Sequence, residues 1–269
     1  MVGQNSSIEW TDHTFNPWWG CTKVSPGCSH CYAESLSNRY GHDIWGPRKN
    51  RRIFGEKHWQ EPLRWQRLAL EKGRRMRVFC ASMADVFEDN RSIEDERQRL
   101  WALIKETPML DWLLLSKRPE NMPTFVPWQD EWPENVWVMT SVENQVEAER
   151  RIPTLLHVPA IVRGLSVEPL LGPINLLPWL NELQWVIVGG ESGPHARPMN
   201  PDWVRQIRDQ CNNVGVAFFF KQWGEWAPGD MNTPDQEVMM RKGKKLAGRL
   251  LDGQLWEQLP DLRRELSTI

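Results

Sequence analysis

Six short apolar runs, each followed by a helical pattern and each stopping in a polar group, constrain this chain more than anything else in its sequence. They are Val78 to Ala81, Trp112 to Leu115, Val136 to Met139, Ile161 to Val162, Trp185 to Val188 and Val216 to Phe220, with a further strand expected near Thr14 to Trp18. Runs this short, alternating with 3.6-residue patterns, predict repeated βα units, because parallel strands need a helical crossover between them. Between the runs, Ser92-Ile93-Glu94-Asp95 reads as a capping box followed by Ile93, Leu100, Trp101 and Ile104 on one face. A later helix has Asn200 as cap, Pro201 in its first turn, Val204, Ile207, Cys211 and Val214 along its stripe, and Gly215 as its stop.

The ends of the runs say more than their middles. In order they carry Ser82 and Asp85; Ser116, Lys117 and Arg118; Ser141, Glu143 and Asn144; Ser166 and Glu168; Glu191 and Ser192; Lys221 and Gln222. One polar strand end means little, since strands commonly leave the core there. Six in succession point to a shared site, because in a parallel barrel these ends converge on one face.

Before the repeats stands Gly20-Cys21-Thr22-Lys23-Val24-Ser25-Pro26-Gly27-Cys28-Ser29-His30-Cys31-Tyr32, a C-x6-C-x2-C arrangement. Pro26 and Gly27 supply a turn that returns Cys21 towards the other two thiols. Ala33, Leu36 and Tyr40 suit a helix leaving the loop and ending at Gly41. Three thiolates on one loop can bind three irons of a [4Fe–4S] cubane and leave the fourth open. Structural zinc, with His30 or His13 as fourth ligand, is the alternative that the spacing leaves standing. The cluster is favoured because no second C-x2-C or C-x2-H pair occurs and the cysteines immediately precede the βα repeats.

Five cysteines in 269 residues, three of them within eleven, suit a reducing cytoplasm better than a disulfide framework. The start shows no basic stretch followed by an apolar one, and no apolar run approaches membrane-spanning length, so a soluble, unexported protein with no membrane partner is expected. Charge is unevenly spread. From Pro47 to Arg77 eleven Lys or Arg stand against three Glu, a balance of +8 in a chain of net charge −2, so the rest carries −10. Trp45, Phe54, Trp59 and Trp65 lie at or among these charges, a mixture suited either to nucleic acid or to a solvated helix face. After Gly224 the pattern changes, and residues 225–269 read as a C-terminal appendage on a domain spanning 1–224, with a hairpin around Arg241 to Lys245. Most of the seventeen tryptophans are read as core filler.

The Cys28-Ser29-His30-Cys31 segment resembles the second half of the C-x3-C-x-φ-C motif of the radical S-adenosylmethionine superfamily, with His30 at the φ position; the first gap is six residues instead of three. The stretches WTDHTFNPWWGCTKVSPGCSHCYAE, LLLSKRPENM, TSVENQ, LSVEPLLGPI, VIVGGESGPHARPM and FFFKQWG resemble, more closely still, a family of phage- and prophage-associated three-cysteine-motif proteins. The resemblance implies an α/β fold, a partial (β/α) barrel of about six to seven parallel strands with a basic insertion at 47–77 and the C-terminal appendage. It implies a [4Fe–4S] cluster on Cys21, Cys28 and Cys31, S-adenosylmethionine on the open iron, cleavage to a 5′-deoxyadenosyl radical, and a reductant protein such as a flavodoxin or ferredoxin. His30 then neighbours the adenine, Ser82 and Asp85 the methionine end, Ser141, Glu143 and Asn144 the ribose or carboxylate, and Ser166 and Glu168 the adenine region. Gly189-Gly190-Glu191 looks like the superfamily's methionine-binding turn but follows a much later strand. Lys117, Arg118, Glu191, His195, Arg197, Lys221 and Gln222 are the substrate-facing candidates, for nucleic acid or a small metabolite. Cys80 is read as a small buried hydrophobe, as is Cys211.

Overall fold

The computed structural model describes residues 3–4, 6, 8–129, 131–229 and 238–261. Seven parallel strands follow one another across a single curled sheet in chain order: β1 His13–Thr14, β2 Met76–Cys80, β3 Leu110–Ser116, β4 Val136–Ser141, β5 Val162–Val167, β6 Trp185–Gly189 and β7 Ala217–Gln222. The crossovers hold α1 Tyr32–Arg39 and α2 Glu61–Glu71 between β1 and β2, α3 Glu94–Glu106, α4 Gln145–Leu156 and α5 Pro201–Val214. This is a partial (β/α) barrel, as expected. Gly3–Gln4 pairs antiparallel with β1 at one edge. At the other, Phe220 N donates to Trp256 O at 2.9 Å and Gln258 N to Phe218 O at 3.2 Å, so the C-terminal chain satisfies the outer side of β7.

Side-chain alternation along each strand divides the core into two layers. One parity faces the helices: Val78 and Cys80, Trp112 and Leu114, Val136 and Val138, Val186 and Val188, Phe218 and Phe220 pack with Leu100, Ile104, Ile152, Leu155, Val204 and Ile207. The other parity faces the hollow of the half-barrel, where Trp10, Phe79, Leu113, Trp137, Met139, Val162, Trp185, Ile187 and Phe219 fill its floor. Trp10 meets Phe79 and Trp185 edge-on at 4.6 and 5.9 Å. Above that floor the inward parity turns polar, and Ser141 and Ser166 stand side by side in register.

Most strands run further than the apolar runs predict, to Ser116, Ser141, Val167 and Gln222. The ladder needs only backbone partners, so a strand can continue past its apolar run. Other differences are local. The Ser92 capping box does not form: Asn90 Oδ1 takes the Ser92 amide at 2.9 Å and caps a 3-10 turn ahead of α3. Asn200 and Gly215 cap α5 as expected, but Val214 is exposed. The hairpin joins Trp226–Pro228 to Met239–Arg241, with 241 ending its second arm instead of beginning a turn. Residues 230–237 and 262–269 of the appendage lie outside the described residues.

The basic segment 47–77 is built into the first βα unit, since it includes α2 and the start of β2. Pro62, Trp65 and Ala69 form the buried stripe of α2, and Trp59 is buried beside them. Gly190, between β6 and β7, has no room for a side chain, since a Cβ would stand 1.9 Å from Trp223 O. That close approach brings the ends of the last two strands together. No helix among the described residues is long and apolar enough to cross a membrane.

Candidate functional site

The cysteine loop lies across the C-terminal ends of the strands. Gly20, at φ +114°, donates its amide to Met83 O just beyond β2, and a Cβ there would stand 2.5 Å from Ile44 O and 2.7 Å from Arg51 Cδ. Beyond it, Arg118 after β3 donates to Thr22 O at 2.7 Å. Gly27 N donates to Glu143 Oε1 after β4 at 2.9 Å, and Arg197 donates to Pro26 O at 3.1 Å. His30 Nδ1 lies 3.2 Å from Glu191 Oε2 after β6, and Tyr32 OH donates to Ser82 O at 2.7 Å. Polar ends of four successive or near-successive strands thus hold one loop, as convergence at a barrel mouth requires.

Beneath the loop are charged pairs. Arg51 is buried and gives Nε and Nη2 to Glu88 at 2.9 and 2.7 Å, Nη1 to Ile44 O and Lys49 O, and Nη2 also to Gly46 O and Thr22 Oγ1. Asp85 accepts from Ser116 Oγ at 2.7 Å, Arg118 Nη1 at 2.7 Å, Phe87 N at 3.0 Å and Lys117 N at 3.3 Å. Burial opposes the charge on Arg118, but Asp85, Cys21 and Glu88 outweigh it and raise its pKa above the ordinary arginine value. Asn16, buried after β1, takes the Met83 amide on Oδ1 at 2.7 Å and pairs with Ser82 Oγ.

Glu143 is fully buried. Burial alone would raise its carboxyl, but hydrogen bonds from Ser25 and Gly27 and the charges of Lys117 and Arg151 hold it below the usual range. Arg151, equally buried on α4, donates to Glu143 Oε2 at 2.9 Å and to Ser141 O at 2.8 Å. Glu191 is likewise pushed up by burial and pulled down further by Arg197 and His30. Arg197 reaches it with Nε at 2.8 Å, Nη2 at 2.5 Å and its amide at 2.9 Å. Both folded-state values are depressed, so the stability these groups contribute is present above the ordinary carboxylate range and is lost as pH falls through it. The melting temperature should therefore start to fall as the pH drops below about 5 and go on falling as it is lowered further, and Glu143→Gln should flatten that profile. An equally steep acid limb in the variant would contradict the assignment.

The expected site residues separate by what they touch. Asn144 caps α4, its Oδ1 accepting from Glu147 N at 3.0 Å. Lys221 sits at a bulge in β7 and gives Nζ to both Glu168 oxygens at 2.7 and 2.9 Å. Gln222 Nε2 reaches Ser192 Oγ at 3.2 Å. Lys117 is half-buried, and its charge acts on both Cys31 and Glu143. His195 is exposed, its ring centred 5.9 Å from that of His30. Cys80 and Cys211 are buried in the helix-side core, as expected. Sequence reasoning did not reach Asn16, Arg51, Glu88 or Arg151. Only Arg151 had a local signal, its i,i+4 spacing from Glu147.

The three loop cysteines are free thiols, each half-buried. Burial pushes Cys21 up to about 12, Asp85 and Glu88 adding and Arg118 opposing. Burial also raises Cys31, against the amides of Glu34 and Ala33 at the start of α1 and against Lys117. Thiols so placed ionise only with a compensating positive charge, which a bound metal supplies. Of the two histidines considered as a fourth zinc ligand, His13 is stacked on Trp65 at 4.3 Å with its Nε2 3.4 Å from Met76 Sδ, and His30 has its Nδ1 3.2 Å from Glu191 Oε2. Among the described residues no three His, Cys, Asp or Glu side chains form a ligand set for a single metal ion. Three thiols with flanking cations are a soft donor set of the kind that zinc and iron–sulfur clusters both take.

No curated protein sequence matches the chain. Among solved structures, a cysteine-to-serine mutant of spore photoproduct lyase is similar at 10% identity and a TM-score of 0.49, over 81% of this chain and 78% of that one. Spore photoproduct lyase complexed with dinucleoside spore photoproduct gives 12% and 0.46, over 77% of this chain and 62% of that one. A double mutant of the same lyase with bound AdoMet and dinucleoside spore photoproduct gives 12% and 0.43, over 82% and 67%. Likenesses of this size bear on neither residues nor reaction. The family model described as "Protein of unknown function (DUF5131)" matches residues 5–260, and the chain belongs to that family.

Proposed function

We propose that the protein is a radical S-adenosylmethionine enzyme whose [4Fe–4S] cluster is held by Cys21, Cys28 and Cys31. The observation that carries this reading is the three-cysteine loop itself, laid across the polar ends of β2, β3, β4 and β6 by hydrogen bonds to Met83, Ser82, Arg118, Glu143 and Glu191. Such a placement would set a thiol-bound group over the hollow of the barrel, where the inward side chains Ser141 and Ser166 are polar. Bound there, the cluster and S-adenosylmethionine supply one-electron cleavage of a sulfonium bond and a 5′-deoxyadenosyl radical able to abstract hydrogen.

The chain's own residues then divide the work. Glu143, Glu191, Asp85 and Asn144 have their acceptors taken by protein donors, so their part is to fix the loop and the strand ends around it. Ser82 is tied to Asn16 and Tyr32, so Ser141, Ser166, Lys117 and the Glu168–Lys221 pair are the groups assigned to meet cofactor and substrate. His30, held by Glu191, flanks the adenine. The electron comes from a reductant protein of the flavodoxin or ferredoxin type, in a reducing cytoplasm that keeps the thiols free. Metal analysis after anaerobic purification and reconstitution tests the cofactor: about three to four irons with matching sulfide per chain are expected, and one tightly bound zinc with no iron would contradict the reading.

For the substrate, a nucleic acid bound through 47–77 and a small metabolite stand as rivals. Lys49, Arg51, Arg64, Arg74, Arg75 and Arg77 are paired with Asp43, Glu88, Glu61, Asp12, Asp111 and Asp12, and Trp59 and Trp65 are core. The nucleic-acid reading therefore rests on the exposed Arg48, Lys57, Arg67 and Lys72. It predicts binding of DNA or RNA that weakens steeply with salt and loses slope when Arg67 and Lys72 become Gln. Absent or salt-insensitive binding favours the small molecule.

A further inference from the structure

We propose that Arg118 is a positioning residue for Cys21 whose charge sets how readily the group on the three cysteines accepts an electron. The inference rests on the cluster reading above and deepens it. Arg118 stands among the polar strand ends, but both its terminal nitrogens bond within the protein. Nη1 lies 2.7 Å from Asp85 Oδ2 and 3.8 Å from Cys21 Sγ, Nη2 donates to Thr22 O at 2.7 Å, and the backbone amide donates to Ser116 Oγ at 2.9 Å. The residue is 8% exposed. Its direction is therefore towards the loop, not towards a ligand in the hollow.

The guanidinium is held in place from behind. Asp85 is fixed by Ser116 Oγ and by the amides of Phe87 and Lys117, so it presents Oδ2 to Arg118 from one position. Glu88 lies 4.0 Å from Arg118 Nη2 and is itself clamped by Arg51. Two acids and two arginines thus alternate, with Arg118 the member nearest to sulfur. Lys117 acts on Cys31 from the same strand end.

A cation or N–H donor against a thiolate favours the state with more negative charge, and hydrogen bonds to sulfur are among the terms that set iron–sulfur potentials. Removing the Arg118 charge should therefore make reduction harder. Asp85→Asn should act in the opposite direction, because it removes a negative charge beside the same sulfur and leaves Arg118 less neutralised.

The test is a potentiometric titration with dithionite, followed by electron paramagnetic resonance, on anaerobically reconstituted full-length protein. Wild type, Arg118→Gln, Arg118→Lys and Asp85→Asn are compared, with iron content and melting temperature recorded for each. The expected result is a midpoint shifted negative in Arg118→Gln, returned towards wild type in Arg118→Lys, and shifted positive in Asp85→Asn. An unmoved midpoint in iron-loaded Arg118→Gln, or an Arg118→Lys shift as large as that of Gln, would overturn the inference while leaving the cluster in place. Should Arg118→Gln lose its iron, Asp85→Asn decides alone: a positive shift supports the inference, and none or a negative one overturns it. A wild-type protein that takes up no iron contradicts the proposed function itself.

Discussion

Cys28→Ala is expected to strip the reconstituted protein of its iron and to abolish 5′-deoxyadenosine formation, with little effect on the fold. The Cys28 thiol has a long contact to Ser25 Oγ at 3.9 Å, so the apo chain loses little with it. The ties that position the loop lie on either side, at Gly27 N, His30 Nδ1 and Tyr32 OH, and stay intact. What disappears is one of three thiolates. Loss of a direct ligand should exceed the 10- to 100-fold or so that follows loss of a group one step further from a metal. Cys211→Ala is the control: that thiol sits in the core on α5 and its removal leaves iron unchanged. Iron, sulfide and visible absorption are the readouts. Equal iron in wild type and Cys28→Ala would mean that the loop does not hold the metal.

The second large effect is on stability. Arg51→Met leaves Glu88 a buried carboxylate without its two-pronged partner and frees the carbonyls of Ile44, Lys49 and Gly46. Breaking one side of a buried pair costs about 3–5 kcal/mol, a large share of the 5–15 kcal/mol or so that holds a domain together. The double replacement Arg51→Met with Glu88→Leu should recover much of that loss, because no charge remains uncompensated. Urea denaturation of the two singles and the double gives the coupling. A cost below about 1 kcal/mol for Arg51→Met would show a pair open to water. Gly46 N donates to Cys21 O at 2.9 Å, so the same variant should loosen the loop and lower iron retention.

The architecture was legible because it is written locally. Apolar runs too short for helices, with helical patterns between them, specify βα units, and a polar residue where each run stops marks the mouth. The cysteine loop was legible for the same reason, three thiols within eleven residues. What joins the loop to the barrel was not. Arg51 and Glu88 are 37 residues apart, and Arg118, which reads from sequence as a substrate-facing group, is 96 from Thr22; no local pattern joins such pairs. Trp59 and Trp65 look like stacking groups when seen among basic residues, although Pro62, Trp65 and Ala69 already have the spacing of a buried helix face. Asn144 looks like a ligand contact because it ends a strand. It also begins a helix, and Glu147 three residues on takes its cap. Where one position closes a strand and opens a helix, the local backbone has first use of the side chain.

The most direct test of the account is to incubate anaerobically reconstituted, dithionite-reduced protein with S-adenosylmethionine and quantify 5′-deoxyadenosine and methionine by chromatography. The account predicts both products in wild type and neither above background in Cys28→Ala. Iron-loaded, reduced wild-type protein that forms no more 5′-deoxyadenosine than Cys28→Ala, with nucleic acids and small metabolites supplied in turn, would contradict it.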